Sequence, residues 1–318
     1  MGMLRPGTEP EYLAPTMANL CYPPLATDYH YFEKPRIQGN SGFSLANAAF
    51  AADASMLAYG RSRMTRFTAA EFEAILNAAG LTLFGTIGEC FADNISTGRG
   101  YLAGTGDFAV LAFRGTEADN KHDVACDCEL LLVPQESLGA PAAGHVHIGF
   151  QNYLRRAWDQ VARLVADWRA GHPNQEICVT GHSLGGALAT LAFQQLNDPR
   201  SSLYTYGCPR VGNHEFCASL EAMAATRGCY RIVDHEDMVT HIPVPTVLFP
   251  YAHPSCTLEW IDANHQVIEN PANPPGDRKD ITDLVKDFLQ GNFRDPIPGP
   301  VADHSPVRYC QWLGQAVG

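Results

Sequence analysis

Ser183 stands in the run Gly181-His182-Ser183-Leu184-Gly185-Gly186, a serine set between glycines where one apolar stretch ends and another begins. A serine hydroxyl becomes an effective nucleophile when a histidine takes its proton and a carboxylate orients that histidine. The spacing G-x-S-x-G belongs to a sharp turn that lifts the hydroxyl clear of the backbone and points it at a substrate. Glycines flank such a turn because a Cβ there would collide with the neighbouring strand or helix. The same pattern also arises by chance as a plain structural turn, so its flanks and partners must decide.

The flanks fit. Residues 177–180 are apolar and read as a short buried strand, and residues 187–196 are Ala/Leu-rich without a breaker and read as a helix. The N-terminus of that helix would offer free N–H groups to a developing negative charge. Upstream, residues 44–59 recur in apolar character at helical spacing with Ser44 as N-cap, and Thr68 with Glu71 forms a capping box for a helix over 68–79. Residues 81–87 and 90–95 read as strands, and the unbroken apolar run 108–113 as a strand buried on both faces. An amphipathic helix is predicted over 153–170. Beyond the serine the alternation continues: strand 202–206, helix 213–226, strand 229–233, a hairpin of 256–261 with 265–268, and closing helices over 281–289 and 305–314. Strands alternating with helices predict an α/β fold, a mostly parallel central sheet with helices on both faces. The Pro/Gly/Tyr-rich residues 1–43 read as an extended arm on a single domain, 44–318.

Composition removes several classes. The net charge is −12, from 34 acidic and 22 basic residues, with no Lys/Arg cluster, which argues against a nucleic-acid partner and against adhesion to anionic lipid. No apolar run is long enough to span a bilayer, so no integral membrane association is expected. The first residues carry neither a signal-peptide-like apolar stretch nor a myristoylation pattern, giving a cytoplasmic expectation, or a secreted one if a leader precedes them. Ten cysteines are scattered, and Cys178, Cys208 and Cys229 lie in apolar strand-like segments, so free thiols in a reducing compartment are expected. Cys126 and Cys128 near His122 lack a full ligand set for a metal, and no cofactor or metal is predicted.

The partners of Ser183 must lie downstream, in the chain order Ser, acid, His. Asp234 and Asp237 both follow the strand 229–233 and are both eligible acids. Among the histidines, His265 reads as a solvated turn residue and His241 is close to Asp237 in sequence. His253 lies in a Tyr/Pro-rich segment, and His304, after a Gly/Pro loop and before the last helix, is free to reach over the sheet edge. His147 and His182 read as loop supports rather than chemical groups, and Arg114 as a strand-end charge paired with a carboxylate.

Six segments together resemble the class 3 lipase family, over roughly residues 44–314. They are Val110-Leu111-Ala112-Phe113-Arg114-Gly115-Thr116, Val146-His147-Ile148-Gly149-Phe150, the run 181–186, Tyr206-Gly207-Cys208-Pro209-Arg210-Val211-Gly212-Asn213, Asp237-Met238-Val239-Thr240-His241-Ile242-Pro243 and Asp303-His304-Ser305-Pro306-Val307-Arg308-Tyr309. The resemblance implies the α/β-hydrolase fold and a Ser183–Asp237–His304 triad. It also implies an oxyanion hole from the Leu184 N–H and from Thr116, through its N–H and its hydroxyl. It selects Asp237 over Asp234 and His304 over the other histidines. Thr240 stands where the family usually has Pro, which bears on the stiffness of the acid loop. Val124 replaces a frequent Trp in the lid, expected at 117–126. The implied activity is hydrolysis of acylglycerol-type carboxylic esters through an acyl-enzyme, with a transient lipid-interface contact allowed. An aryl (feruloyl-type) esterase, or a catalytically silent lipid- or protein-binding scaffold, are the alternatives. The stretch 117–123 is almost wholly polar, so weak interfacial activation is expected.

Overall fold

The computed structural model describes residues 15–16, 32, 42–61, 68–88, 100–115, 131–272, 281, 283–284, 287, 292 and 294–317. Ser44 caps α1 (Leu45–Leu57), its hydroxyl accepting from the Asn47 N–H, and α1 is Ala-rich and buried nearly all round, as a core helix must be. The Thr68/Glu71 capping box opens α2 (Ala69–Ala78). Strands β1 (Thr82–Ile87), β2 (Gly100–Gly104) and β3 (Phe108–Phe113) pair antiparallel in sequence order. Two short strands, β4 (Leu132–Pro134) and β5 (His145–His147), lead to the long α3 (Ile148–Gly171). The alternation that follows is β6 (Glu176–His182), α4 (Leu184–Leu196), β7 (Ser201–Tyr206), β8 (Gly212–Asn213), α5 (His214–Ala224) and β9 (Cys229–Asp234). Strands β10 (Tyr251–Ala252), β11 (Thr257–Ile261) and β12 (Val267–Glu269) precede the short α6 (Gly299–Ala302) and α7 (Pro306–Val317).

The main sheet runs β1-β2-β3-β6-β7-β9-β11-β12, with β3 through β11 parallel and antiparallel pairs at both edges. Its strands are apolar throughout because both faces are covered. Along β3, Phe108, Val110 and Ala112 pack with α1 and α7, while Ala109, Leu111 and Phe113 pack with α3 and α4. Phe32 also docks against Phe50 of α1, ring centroids 5.0 Å apart, and Phe43 against Tyr230. The predicted strand at 90–95 lies outside the described residues, as does nearly all of the predicted arm 1–43.

Several elements differ from expectation. A second sheet, β10-β8-β5-β4, is made of strands of two or three residues, too short for periodicity to register. Helix α3 starts at Ile148 rather than 153 because the His147 imidazole caps it, Nδ1 accepting from the Gly149 and Phe150 N–H groups at 3.1 and 3.4 Å. The expectation that the cysteines are free thiols is also corrected. Cys229 and Cys256 form a disulfide across the starts of the parallel neighbours β9 and β11, while Cys178, Cys208, Cys217 and Cys310 are free and buried. Cys229 pointed into an apolar layer, but its register partner on the next strand is also cysteine.

Candidate active site

The turn between β6 and α4 carries Ser183 at φ 59°, ψ −130°, a left-handed region that a serine occupies only when its surroundings force it. The surroundings do so through close backbone approach. A Cβ on Gly181 would lie 2.1 Å from the Gly185 carbonyl oxygen, and one on Gly185 would lie 2.3 Å from that of Phe113. The Ser183 N–H donates to the Tyr206 carbonyl at 2.9 Å, tying the turn to β7.

Ser183 Oγ lies 2.9 Å from His304 Nε2. On the other side of the ring, His304 Nδ1 lies 2.9 and 3.0 Å from the two carboxylate oxygens of Asp237. A carboxylate only accepts, so Nδ1 carries the proton and Nε2 is left to accept from the serine hydroxyl. Asp237 is fully buried and also receives the Tyr309 hydroxyl at 2.6 Å and the Val239 N–H at 2.9 Å. Burial pushes its pKa upward, but the His304 ring, the hydrogen bonds from His304 and Tyr309, and His182 together hold it below the ordinary carboxylate range. The pair needs room, which the Tyr206–Gly207 bend leaves. Gly207 has φ 53°, and a Cβ there would fall 2.4 Å from Asp237 Oδ2 and 2.9 Å from His304 Nδ1.

Each loop is pinned separately. Asp237 caps the single 3-10 turn Met238–His241, and the Thr240 hydroxyl donates to the Asp237 carbonyl at 2.8 Å. The hydroxyl thus ties the turn back on itself at the position where the resemblance places a proline. Asp303, next to His304, accepts from the Arg308 guanidinium and from the Glu236 N–H at 3.3 Å, with His235 Nδ1 at 3.2 Å. His182 Nε2 donates to the His304 carbonyl at 2.8 Å, so its Nδ1 accepts from the Tyr59 hydroxyl at 2.9 Å. Burial, then His304, push the His182 pKa well below the ordinary imidazole value, keeping the ring neutral in this supporting place.

Of the other candidates, Asp234 stays apart from His304. Its backbone N–H donates to the Tyr309 hydroxyl at 2.9 Å, and burial, then Asp303, raise its carboxyl pKa well above the ordinary range. His241 is buried with its carbonyl held by Arg210, His253 Nε2 donates to the Thr240 carbonyl at 2.7 Å, and the exposed turn residue His265 stacks on Trp312. Leu184 opens α4, where an N–H has no acceptor within its own helix. Thr116, the lid stretch, His122, Cys126 and Cys128 lie outside the described residues. Among the described residues, no group of three or more His, Cys, Asp or Glu could hold a metal ion, and no helix is long and apolar enough to cross a membrane. The residues sequence reasoning left without a role are Tyr309, Tyr59 and Gly207. Tyr309 stood in plain view five positions after His304, one turn into the next helix.

Residues 110–247 match the family model of Lipase (class 3). That match makes this chain similar to the class 3 lipases over rather less than half of its length. A "Secreted mono- and diacylglycerol lipase 3" of Gibberella zeae is 30% identical over 201 residues, 58% of this chain and 61% of that protein. A "Secreted mono- and diacylglycerol lipase 1" of Fusarium solani is 35% identical over 134 residues, 40% of this chain and 38% of that one. The match therefore spans less than two thirds of the length of these curated relatives. Among solved structures, the nonglycosylated Yarrowia lipolytica LIP2 lipase superposes with a TM-score of 0.59 at 20% identity, covering 81% of this chain and 91% of that one. A likeness at that identity speaks to fold, and this chain has the α/β-hydrolase architecture in which Ser183 sits on the strand-to-helix turn.

Proposed function

We propose that this chain hydrolyses carboxylic esters of the acylglycerol type. Ser183 is the nucleophile, His304 the general base and then acid, and Asp237 the orienting carboxylate. The observation that carries the reading is the unbroken contact from Ser183 Oγ through the His304 ring to Asp237. The Ser183 oxygen attacks the ester carbonyl while its proton passes to His304 Nε2, and buried Asp237 stabilises the resulting imidazolium. Collapse of the tetrahedral species expels the alcohol, which takes that proton, and water then releases the acid by the same route. The Leu184 N–H and Thr116 meet the oxyanion, each donor contributing about 3–4 kcal/mol to the transition state. The names of the fungal relatives support mono- and diacylglycerols as the substrate class. We also propose a secreted protein, in keeping with the relatives' names and with a disulfide that persists in oxidising compartments. In this reading residues 44–318 are one domain, and 1–43 an arm seated through Phe32 and Phe43.

The test is Ser183→Ala, assayed on dissolved p-nitrophenyl butyrate, a monoacylglycerol and methyl ferulate, with a serine-directed phosphonate as label. The wild type is expected to turn over the first two and take the label at Ser183, and the folded variant to do neither. A folded Ser183→Ala chain that keeps its activity overturns the assignment. A preference for methyl ferulate would move the substrate class to aryl esters.

A further inference from the structure

From 238 to 258 the chain holds no Asp, Glu, Lys or Arg, although 18% of the whole sequence is charged. Within that stretch the backbone makes a tight turn. The Thr246 N–H donates to the Phe249 carbonyl at 3.0 Å, and the Phe249 N–H donates back to Thr246 Oγ1 at 3.0 Å. The two residues at the tip are Val247, 100% exposed, and Leu248, 82% exposed, with Val244 exposed beside them. Turn tips ordinarily carry Gly, Asn, Asp or Ser, which serve the turn or meet water. Val and Leu do neither, so these side chains are on display for another reason.

The base of the turn is rigid. Arg210 NH1 donates to the His241 and Pro243 carbonyls, and the Arg210 backbone N–H donates to Ile242 at 2.7 Å. His253 Nε2 is bonded to the Thr240 carbonyl, and Tyr251–Ala252 pairs with β8. The same segment begins at Asp237, whose carboxylate holds His304. A stiff post thus connects an apolar tip directly to the acid loop.

We propose that Val247 and Leu248 are a lipid anchor: they insert into a neutral lipid surface and hold the chain where acylglycerol substrate is concentrated. The choice of occupant rests on the acylglycerol reading above and on two physical arguments. Two adjacent side chains at a turn offer far less area than the roughly 1,000 Å² a stable protein interface needs, whereas insertion into lipid needs only a small apolar wedge. The tip also brings no cation, and a chain of net charge −12 is repelled by anionic headgroups, so the surface is uncharged overall.

The test is vesicle flotation in the Ser183→Ala background, which leaves the lipid undigested. One set of vesicles is phosphatidylcholine with diacylglycerol, and the other replaces part of the phosphatidylcholine by phosphatidylserine. The chain is expected to float with the neutral vesicles and less with the anionic ones. Val247→Asp with Leu248→Asp should lower flotation at least tenfold, and the milder Val247→Ser with Leu248→Ser should lower it too. In the active chain both double variants should hydrolyse dissolved p-nitrophenyl butyrate within twofold of wild type, while losing tenfold or more on an emulsion. Equal flotation of wild type and variants overturns the anchor. So does a sedimentation shift from dimer to monomer in the variants, which would make a second copy the occupant. If tip-dependent flotation survives but no ester is cleaved, the anchor stands and the catalytic reading falls.

Discussion

Asp234 and Asp237 are three positions apart in sequence and live in opposite electrostatic conditions. Asp237 is buried but compensated by His304, Tyr309 and the Val239 N–H, whereas Asp234 is buried near Asp303, and its neutral form is favoured. Asp237→Asn is therefore expected to cut turnover roughly ten-thousandfold, because an amide cannot hold Nδ1 protonated against Ser183. Asp234→Asn should keep most of the activity and change stability instead. The raised folded pKa means the native state binds a proton that the unfolded chain has released, so this carboxyl costs stability as pH rises above the ordinary carboxylate value. An asparagine removes that dependence. The melting temperature of Asp234→Asn minus that of wild type should be near zero at pH 4 and grow toward pH 8. Equal activity losses at the two positions, or a stability gain that shrinks with pH, would contradict this assignment. In the sequence the two acids are indistinguishable by spacing alone. Only a motif, or the bond from Tyr309, separates them.

The disulfide acts at the scale of elements. Cys229 opens β9 and Cys256 immediately precedes β11, so the bond clamps two parallel strands that sequence joins only through a 27-residue excursion. Cross-linking such a loop stabilises a fold by on the order of 3–4 kcal/mol. Cys229→Ala with Cys256→Ala is expected to lose about that much in urea unfolding. Dissolved-ester turnover at room temperature should survive, since Asp237 follows the other end of β9. A double variant as stable as wild type would show that the clamp contributes nothing. Elements with their own signals were legible in the sequence: α1 and α2 through their caps, β3 through its apolar run, and β6 to α4 through the glycines that close approach requires. Those defined by tertiary partners were not. The four strands of the small sheet have no pattern of their own, and β2 carries glycines at both ends, where a Cβ would strike the backbone of β3. The Cys229–Cys256 pair depends on strand register, which spacing does not reveal.

For the whole molecule, the question is how an acidic chain works at a surface, and two functions usually joined in a lid are separable here. The lid expected at 117–126 offers only Ala118, Val124 and Ala125 as apolar side chains, all of them small, so its displacement would transfer little apolar area. At about 25 cal/mol per Å² such a segment cannot bias an open state strongly toward lipid. Adsorption is instead carried by Val247 and Leu248, which are exposed already and need no rearrangement. The expected consequence is binding without activation. Rate against tributyrin concentration should be substantial below the solubility limit, where single molecules enter the Ser183 site. Above the limit it should climb gradually with droplet area, because more anchored chains meet more substrate. In the Val247→Asp, Leu248→Asp chain the first part of that curve should be unchanged and the climb flattened. A negligible rate on dissolved tributyrin, followed by a sharp jump when droplets form, would mean that the polar stretch gates the site after all. The anchor would then serve only to bring the chain to the surface that opens it.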